Sequence, residues 1–363
     1  MIPPNILLCT VGTSLLNAAN FGGKRTAETT TDWKGVAADL AAARPADRAC
    51  GAEVNSVASL IANGYAPQDA GIYLFHSDTQ AGRQIAEILR AYFSGQGHAP
   101  VAAVPIADLQ DDDPKRFRTK GLRNLAKAIC GKVRDHSAAA CAINATGGYK
   151  AQIAIAVLLG QALGIPVYYM HERFSEIIPF PPLPVALDFQ LWMRASGLLA
   201  ALERDAQSKA IFLDEWDEKY ESLVNTERID GQEYVELSPT GQIFHETFRQ
   251  RFRCERDRVL PPPAPRKLDP VLHDHGVINL LGDQILRHMS AVTKEVPAVV
   301  RCITNYCHPQ LSEPTRFRAK GDGIEGIYTD GTRTVKFKVE STATTPGQRD
   351  AVVAALNEWV EAK

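Results

Sequence analysis

The chain has 363 residues, a formal net charge of −2 and 45% hydrophobic residues. That length exceeds one ordinary domain and implies two or three, while the balanced charge excludes a coat of positive charge for nonspecific nucleic-acid binding. The seven cysteines, an odd number without a Cys-x-x-Cys pair, argue for reduced thiols rather than a disulfide or zinc framework.

In chain order, an apolar strand at 5–10 runs into Thr10-Val11-Gly12-Thr13-Ser14-Leu15-Leu16. The polar stretch Asn20 to Ala49 interrupts the rhythm and reads as an insertion with one short Ala-rich helix. A helix near 53–63 follows. Next comes a strand at 71–76 that feeds His76-Ser77-Asp78-Thr79 and a helix at 82–93. Then come a strand at 101–105, a helix at 120–134 and a strand at 139–143. The last of these opens Asn144-Ala145-Thr146-Gly147-Gly148-Tyr149-Lys150, a helix at 150–163 and a strand at 166–170. The alternation predicts an α/β fold with a parallel, doubly wound sheet. Its ligands are expected outside the carboxyl ends of the strands. There, glycines admit close approach to the backbone and a helix start favours an anion. The candidate ligand-binding residues are Thr10, Gly12, Thr13, Ser14, Ser77, Asp78, Thr79, Asn144, Thr146, Gly147, Gly148 and Lys150. No charged leader precedes an apolar stretch, and Ile153 to Leu163 is too short to span a bilayer, so a soluble, cytoplasmic protein is expected.

The two motifs, Thr10 to Leu16 and Asn144 to Lys150, with His76-Ser77-Asp78-Thr79 between them, resemble the CARF domain, the Rossmann-like sensor of type III CRISPR systems. The resemblance covers about 1–182. It implies a homodimer that binds cyclic oligoadenylate across its two-fold axis; cyclic tetra-adenylate is the expected ring, although no residue sets ring size.

Prolines at 179, 181, 182 and 184 end this domain, and Pro261-Pro262-Pro263-Ala264-Pro265 forms a second, semi-rigid linker. Between them, at 183–260, lie a helix at 185–205, a short strand at 234–237 and a helix at 242–253 capped by Ser238-Pro239. This connector resembles a winged helix-turn-helix. Acids outnumber bases between Glu203 and Asp257, so a spacer or docking role is favoured over DNA contact.

The last part, 266–363, predicts helices at 275–292 and 293–306, then strands, then a closing helix at 348–361. Arg316, Arg318 and Lys320 alternate with Phe317 and Ala319, while Lys336 and Lys338 alternate with Val335, Phe337 and Val339. If neighbouring and in register, these cations form one basic patch suited to a polyanion. The alternative is a solubilising strand face. The layout, with Arg316 to Gly321 and Arg349, resembles the RelE family of ribosome-dependent mRNA interferases, an α+β fold. The resemblance implies metal-independent endoribonuclease activity on mRNA at the ribosome by attack of the 2′-OH, with no cofactor; it points to Arg316, Arg318, Lys320 and Arg349, to which strand alternation adds Lys336 and Lys338 and the need to stack a base adds Tyr328 as candidate catalytic residues. Two rivals remain. Arg301 and His308 fit the spacing of HEPN ribonucleases, and the winged helix would suit a ligand-gated transcription regulator.

Overall fold

The computed structural model describes residues 3–16, 32–171, 176–181, 187–273 and 277–363; the side chain of Ser14 and residues 20–31 of the expected insertion lie outside the described residues. The chain divides into two compact units, Met1–Ala186 and Leu187–Lys363.

The first unit carries a six-stranded sheet in the order β3-β2-β1-β4-β5-β6. Its strands are β1 (Ile6–Thr10), β2 (Gly71–Ser77), β3 (Val101–Ile106), β4 (Cys141–Asn144), β5 (Val167–Tyr169) and β6 (Ile178–Phe180). All neighbours pair in parallel except β5 and β6. The helices are α1 (Trp33–Ala42), α2 (Gly51–Ala62), α3 (Gln80–Gly95), the single turn α4 (Pro114–Arg116), α5 (Leu122–His136) and α6 (Lys150–Leu163). β1 and β2 are buried along their whole length, as strands covered on both faces must be. The chain runs outward from β1 to β3, then returns to place β4 on the other flank of β1. That reversal puts the switch point of the sheet between β1 and β4, beside both glycine motifs. The Ala-rich helix expected within the insertion is α1, and it buries Val36, Ala37 and Leu40 in the core.

In the second unit, α7 (Phe189–Arg204), a three-stranded sheet and α8 (Pro239–Val259) precede α9 (Val277–Glu295). The three strands are β7 (Gln207–Ser208), β8 (Val224–Ile229) and β9 (Gln232–Leu237), in the order β7-β9-β8. Ser238 caps α8 by accepting from Gly241 N, as its sequence predicts. Where a helix-turn-helix would stand, between β7 and β8, lie only the 3-10 segments Lys209–Glu215 and Glu218–Leu223. Acidic Glu218 and Glu221 occupy the second of these, a poor match to a phosphate backbone.

The second sheet contains β10 (Val299–His308), β11 (Arg316–Lys320), β12 (Gly323–Thr329) and β13 (Thr334–Ser341), all antiparallel in the order β10-β13-β12-β11. The helix expected over 293–306 is instead strand β10. Val299, Val300, Ile303 and Thr304 are β-branched, and pairing with β13 overrides any helical reading. The closing helix α10 (Pro346–Glu361) packs Val352, Val353 and Leu356 against this sheet. Its Ala351 and Ala354 pack with Trp192 of α7 and Phe248 and Phe252 of α8. One helix therefore serves two cores, and the connector and the C-terminal part form a single body although the sequence predicts two.

Candidate ligand site and candidate nuclease face

At the ends of β1 and β4 the two glycine turns meet backbone to backbone. A Cβ on Gly12 would lie 2.7 Å from Gly148 N, and one on Gly147 would lie 2.7 Å from Thr10 O and 2.9 Å from Gly12 N. No side chain larger than hydrogen fits at either position. Gly148 also has a φ of 100°, a region that favours glycine. Thr10 Oγ1 donates to Gly147 O at 2.6 Å, tying the end of β1 to the second turn. Asn144 Nδ2 donates to Ser56 Oγ of α2 at 2.8 Å, and Thr146 Oγ1 donates to Asn144 Oδ1 at 2.6 Å and accepts from Met170 N. In the third loop, Ser77 Oγ and Thr79 Oγ1 are 2.9 Å apart, and Thr79 caps α3 by accepting from Gly82 N. Asp78 is paired with Arg83 at 3.2 Å.

The candidate residues thus fall into two groups. Thr10, Ser77, Thr79, Asn144 and Thr146 spend their polar side-chain groups on holding the loops together. Gly12, Thr13, Gly148 and Lys150 are at least partly exposed, and Lys150 stands at the first position of α6. The amides of Gly147 and Gly148 have no acceptor among the described residues. Backbone donors, a helix start and one lysine are the anion-binding elements that remain.

Glu53 of α2 is the residue that sequence reasoning missed. Its Oε1 accepts from Gly12 N at 2.7 Å and packs against Gly147 where a Cβ would stand, so one carboxyl is bonded to the first turn and in close contact with the second. Burial pushes its pKa upward, opposed by the hydrogen bond from Gly12. The signal was present: Glu53 and Ser56 sit three residues apart on the same helix face as Val57 and Leu60, a polar pair on an apolar stripe.

In the second unit the predicted basic patch does not form as expected. β12 lies between β11 and β13, and the register runs Arg318↔Glu325↔Lys338 and Arg316↔Ile327↔Lys336. Arg316 and Arg318 are 1% and 2% exposed. Arg316 donates to Glu215 at 3.1 and 3.2 Å and to Glu313 at 3.3 Å, with its guanidinium over the Phe212 ring. Arg318 donates to Glu325 at 2.7 and 2.9 Å and to Asp214 at 3.1 Å. Lys320 pairs with Glu325, Lys336 with Glu313 and Lys338 with Glu340. Burial alone would raise the Glu325 carboxyl, but hydrogen bonds from Lys320 and Arg318 hold it below the usual range, as an ionised partner. Phe212, fully buried, anchors the covering 3-10 segment in the core, so the two arginines are structural here.

The other two predicted residues lie elsewhere. Tyr328 faces the helix side of the sheet, its ring 4.6 Å from that of His288, in a cavity of about 550 Å³ shared with Arg287 and Trp359. Arg349 donates to Gly321 O at 2.7 Å and pairs with Asp350. The HEPN-type pair changes character: Arg301 and His308 are on strand β10, and Arg301 is paired with Glu340 at 2.7 Å. Opposed residues of antiparallel strands share a face, so Arg301, Tyr306 and His308 lie on the same face as Lys336 and Lys338. Tyr306 is 50% exposed there, an aromatic next to lysines that sequence reading passed over.

Residues 48–183 match the family model described as CRISPR-associated protein (Cas_APE2256). The matched span holds Glu53, the Ser77–Thr79 loop and the whole Asn144–Lys150 turn; the Gly12 turn lies before it. Among solved structures, the chain is similar to Can2 from Sulfobacillus thermosulfidooxidans, solved in complex with cyclic tetra-adenylate. The identity is 12%, over 72% of this chain and 69% of that one, and at a TM-score of 0.25 the likeness carries no argument. No curated protein matches. Among the described residues, no helix is long and apolar enough to cross a membrane.

One cluster among the described residues has the composition of a metal site: Glu203, His245 and Glu361. Its donors are already used. His245 Nδ1 accepts from Trp192 Nε1 at 3.1 Å, so the proton sits on Nε2, which faces the two carboxylates at 3.6 and 3.7 Å. Arg249 supplies their charge, 2.9 Å from Glu203 and 3.4 Å from Glu361. A protonated Nε2 has no lone pair for a metal, and this set reads as a buried cluster held by the charge of Arg249.

Proposed function

We propose that the first unit is the sensor of a CRISPR-associated effector and binds cyclic oligoadenylate, with cyclic tetra-adenylate the first candidate, at the switch point between β1 and β4. The observation that carries this reading is the contact of the Gly12 and Gly147–Gly148 turns, which leaves backbone donors and Lys150 at one strand edge. The family match over 48–183 supports it. A second copy of the chain is the proposed partner across the site. The second unit is read as the effector, a metal-independent endoribonuclease acting on mRNA at the ribosome. Its RNA is expected on the open face of β10 and β13, where Tyr306 offers a stacking surface beside Lys336 and Lys338. Arg316 and Arg318 then serve to hold that sheet rather than to touch RNA.

Calorimetry with cyclic tri-, tetra- and hexa-adenylate tests the sensor. Lys150→Ala should weaken binding by about tenfold, the worth of one charge-assisted hydrogen bond, with no change in unfolding midpoint. Unchanged affinity contradicts the assignment. Incubation of the ligand-bound protein with naked RNA and with translating ribosomes, with mapping of the cut ends, tests the effector.

A further inference from the structure

Glu53 has a feature that support of the turns does not explain. Its Oε1 is used by Gly12 N, but Oε2 is buried with no hydrogen-bond partner. An ionised carboxylate in that position would bury a charge next to an orphaned oxygen, at high cost. Among the described residues, no cation contributes to the field that acts on it. β1 presents the Cys9 thiol, which burial pushes up to about 12, and the Thr10 backbone. The β1 and β4 turns present the backbone of Gly12, Gly147 and Gly148, and α2 itself presents the Glu53 amide in its first turn, a donor that opposes the effect of burial without cancelling it. Lys150, the cation of the Asn144–Lys150 turn, is exposed.

We infer that Glu53 is a positioning residue that works as an uncharged carboxylic acid, holding the Gly12 and Gly147 turns in contact while keeping the floor beneath a bound phosphate free of negative charge. Resting on the reading of this edge as a phosphate site, it adds a residue and a protonation state that the reading does not contain. A carboxylate here would oppose every phosphate placed on the turns above it, with little solvent to screen the repulsion. A hydrogen bond from Gly12 N to a carbonyl-type oxygen needs no charge, so the neutral acid or an amide serves the turns equally well.

The sign follows from burial. A carboxyl whose folded pKa is raised contributes stability below its unfolded value and loses it as pH rises through the folded value. Wild-type protein should therefore lose both stability and affinity for cyclic tetra-adenylate as pH rises above the ordinary glutamate range, whereas Glu53→Gln should keep both. Glu53→Ala, which removes the support of both turns, should bind at least about tenfold more weakly at every pH, the cost of one lost buried hydrogen bond with its partner left unpaired.

The test combines titration calorimetry with cyclic tetra-adenylate and urea unfolding, on full-length wild type, Glu53→Gln and Glu53→Ala, at pH steps from acid to mildly alkaline. A pH-dependent loss in wild type that is absent in Glu53→Gln supports the inference. Loss of ligand binding in a folded Glu53→Gln, or parallel pH profiles of wild type and Glu53→Gln, overturns it. If wild type binds no cyclic oligoadenylate at all, the sensor reading fails. The unfolding arm still decides the protonation state: equal stability slopes for wild type and Glu53→Gln overturn the inference, and divergent slopes support its charge-free carboxyl.

Discussion

The glycine turns of the first unit and the cation row of the second were both legible as anion sites, and they came out in opposite ways. In the turns, the polar side chains are consumed by the fold, and Glu53 and Gln152 take the amides of Gly12 and Tyr149, yet the Gly147 and Gly148 amides have no acceptor among the described residues. In the cation row, the charge sits on side chains that can be approached from any packed element, and five carboxylates, Glu215, Asp214, Glu313, Glu325 and Glu340, have done so. Backbone-built sites are set by local sequence. Side-chain charge patches depend on what else folds onto them.

That comparison can be broken at three points. The largest effect is expected from Arg318→Ala, which takes from buried Glu325 its partner at 2.7 Å and leaves it only Lys320. Removing one member of a buried pair should cost roughly 3–5 kcal/mol, seen as a large drop in the urea midpoint. If Arg318→Ala instead keeps its stability and loses RNA cleavage, the row is a working site and the contrast fails. An intermediate effect is expected from Gly147→Ala, whose Cβ would fall 2.2 Å from Glu53 Oε1 and 2.7 Å from Thr10 O. Overpacking there should cost about 1–3 kcal/mol and abolish binding of cyclic tetra-adenylate. Full binding by this variant would mean that the turns need not touch. The smallest change in stability is expected from Lys338→Ala, since its side chain is 53% exposed and its contact with Glu340 is long, at 3.5 Å. Urea unfolding should move by less than about 0.5 kcal/mol, while RNA cleavage by the ligand-bound protein should fall. Equal cleavage would remove the β10–β13 face from consideration.

Much of the first unit could be read from the sequence. The strands at 5–10, 71–76, 101–105, 139–143 and 166–170 agree with β1 to β5 within two residues at each end, because short apolar runs bounded by glycine and polar turns have few alternatives. The stretch 293–306 was misread because its alternating apolar residues suit either element, and only the partner strand β13 decides. Tyr328 is expected to orient a base by stacking; its position at an even step of β12, on the face of Ile324 rather than that of Glu325, turns it to the helix side instead.

By itself the sequence determined the periodicities, the glycine turns and the caps, and with them the parallel sheet and its switch point, because these depend on residues a few positions apart. Only the tertiary structure decided that Glu53 stands beneath both turns, that α10 joins two cores into one body, and that Asp214 and Glu215 cover the arginines. Each of those pairs residues 41 to 161 positions apart, such as Gly12 with Glu53 and Ser196 with Asn357. Contacts at that range are selected by how packed layers meet, which no local pattern of residues encodes.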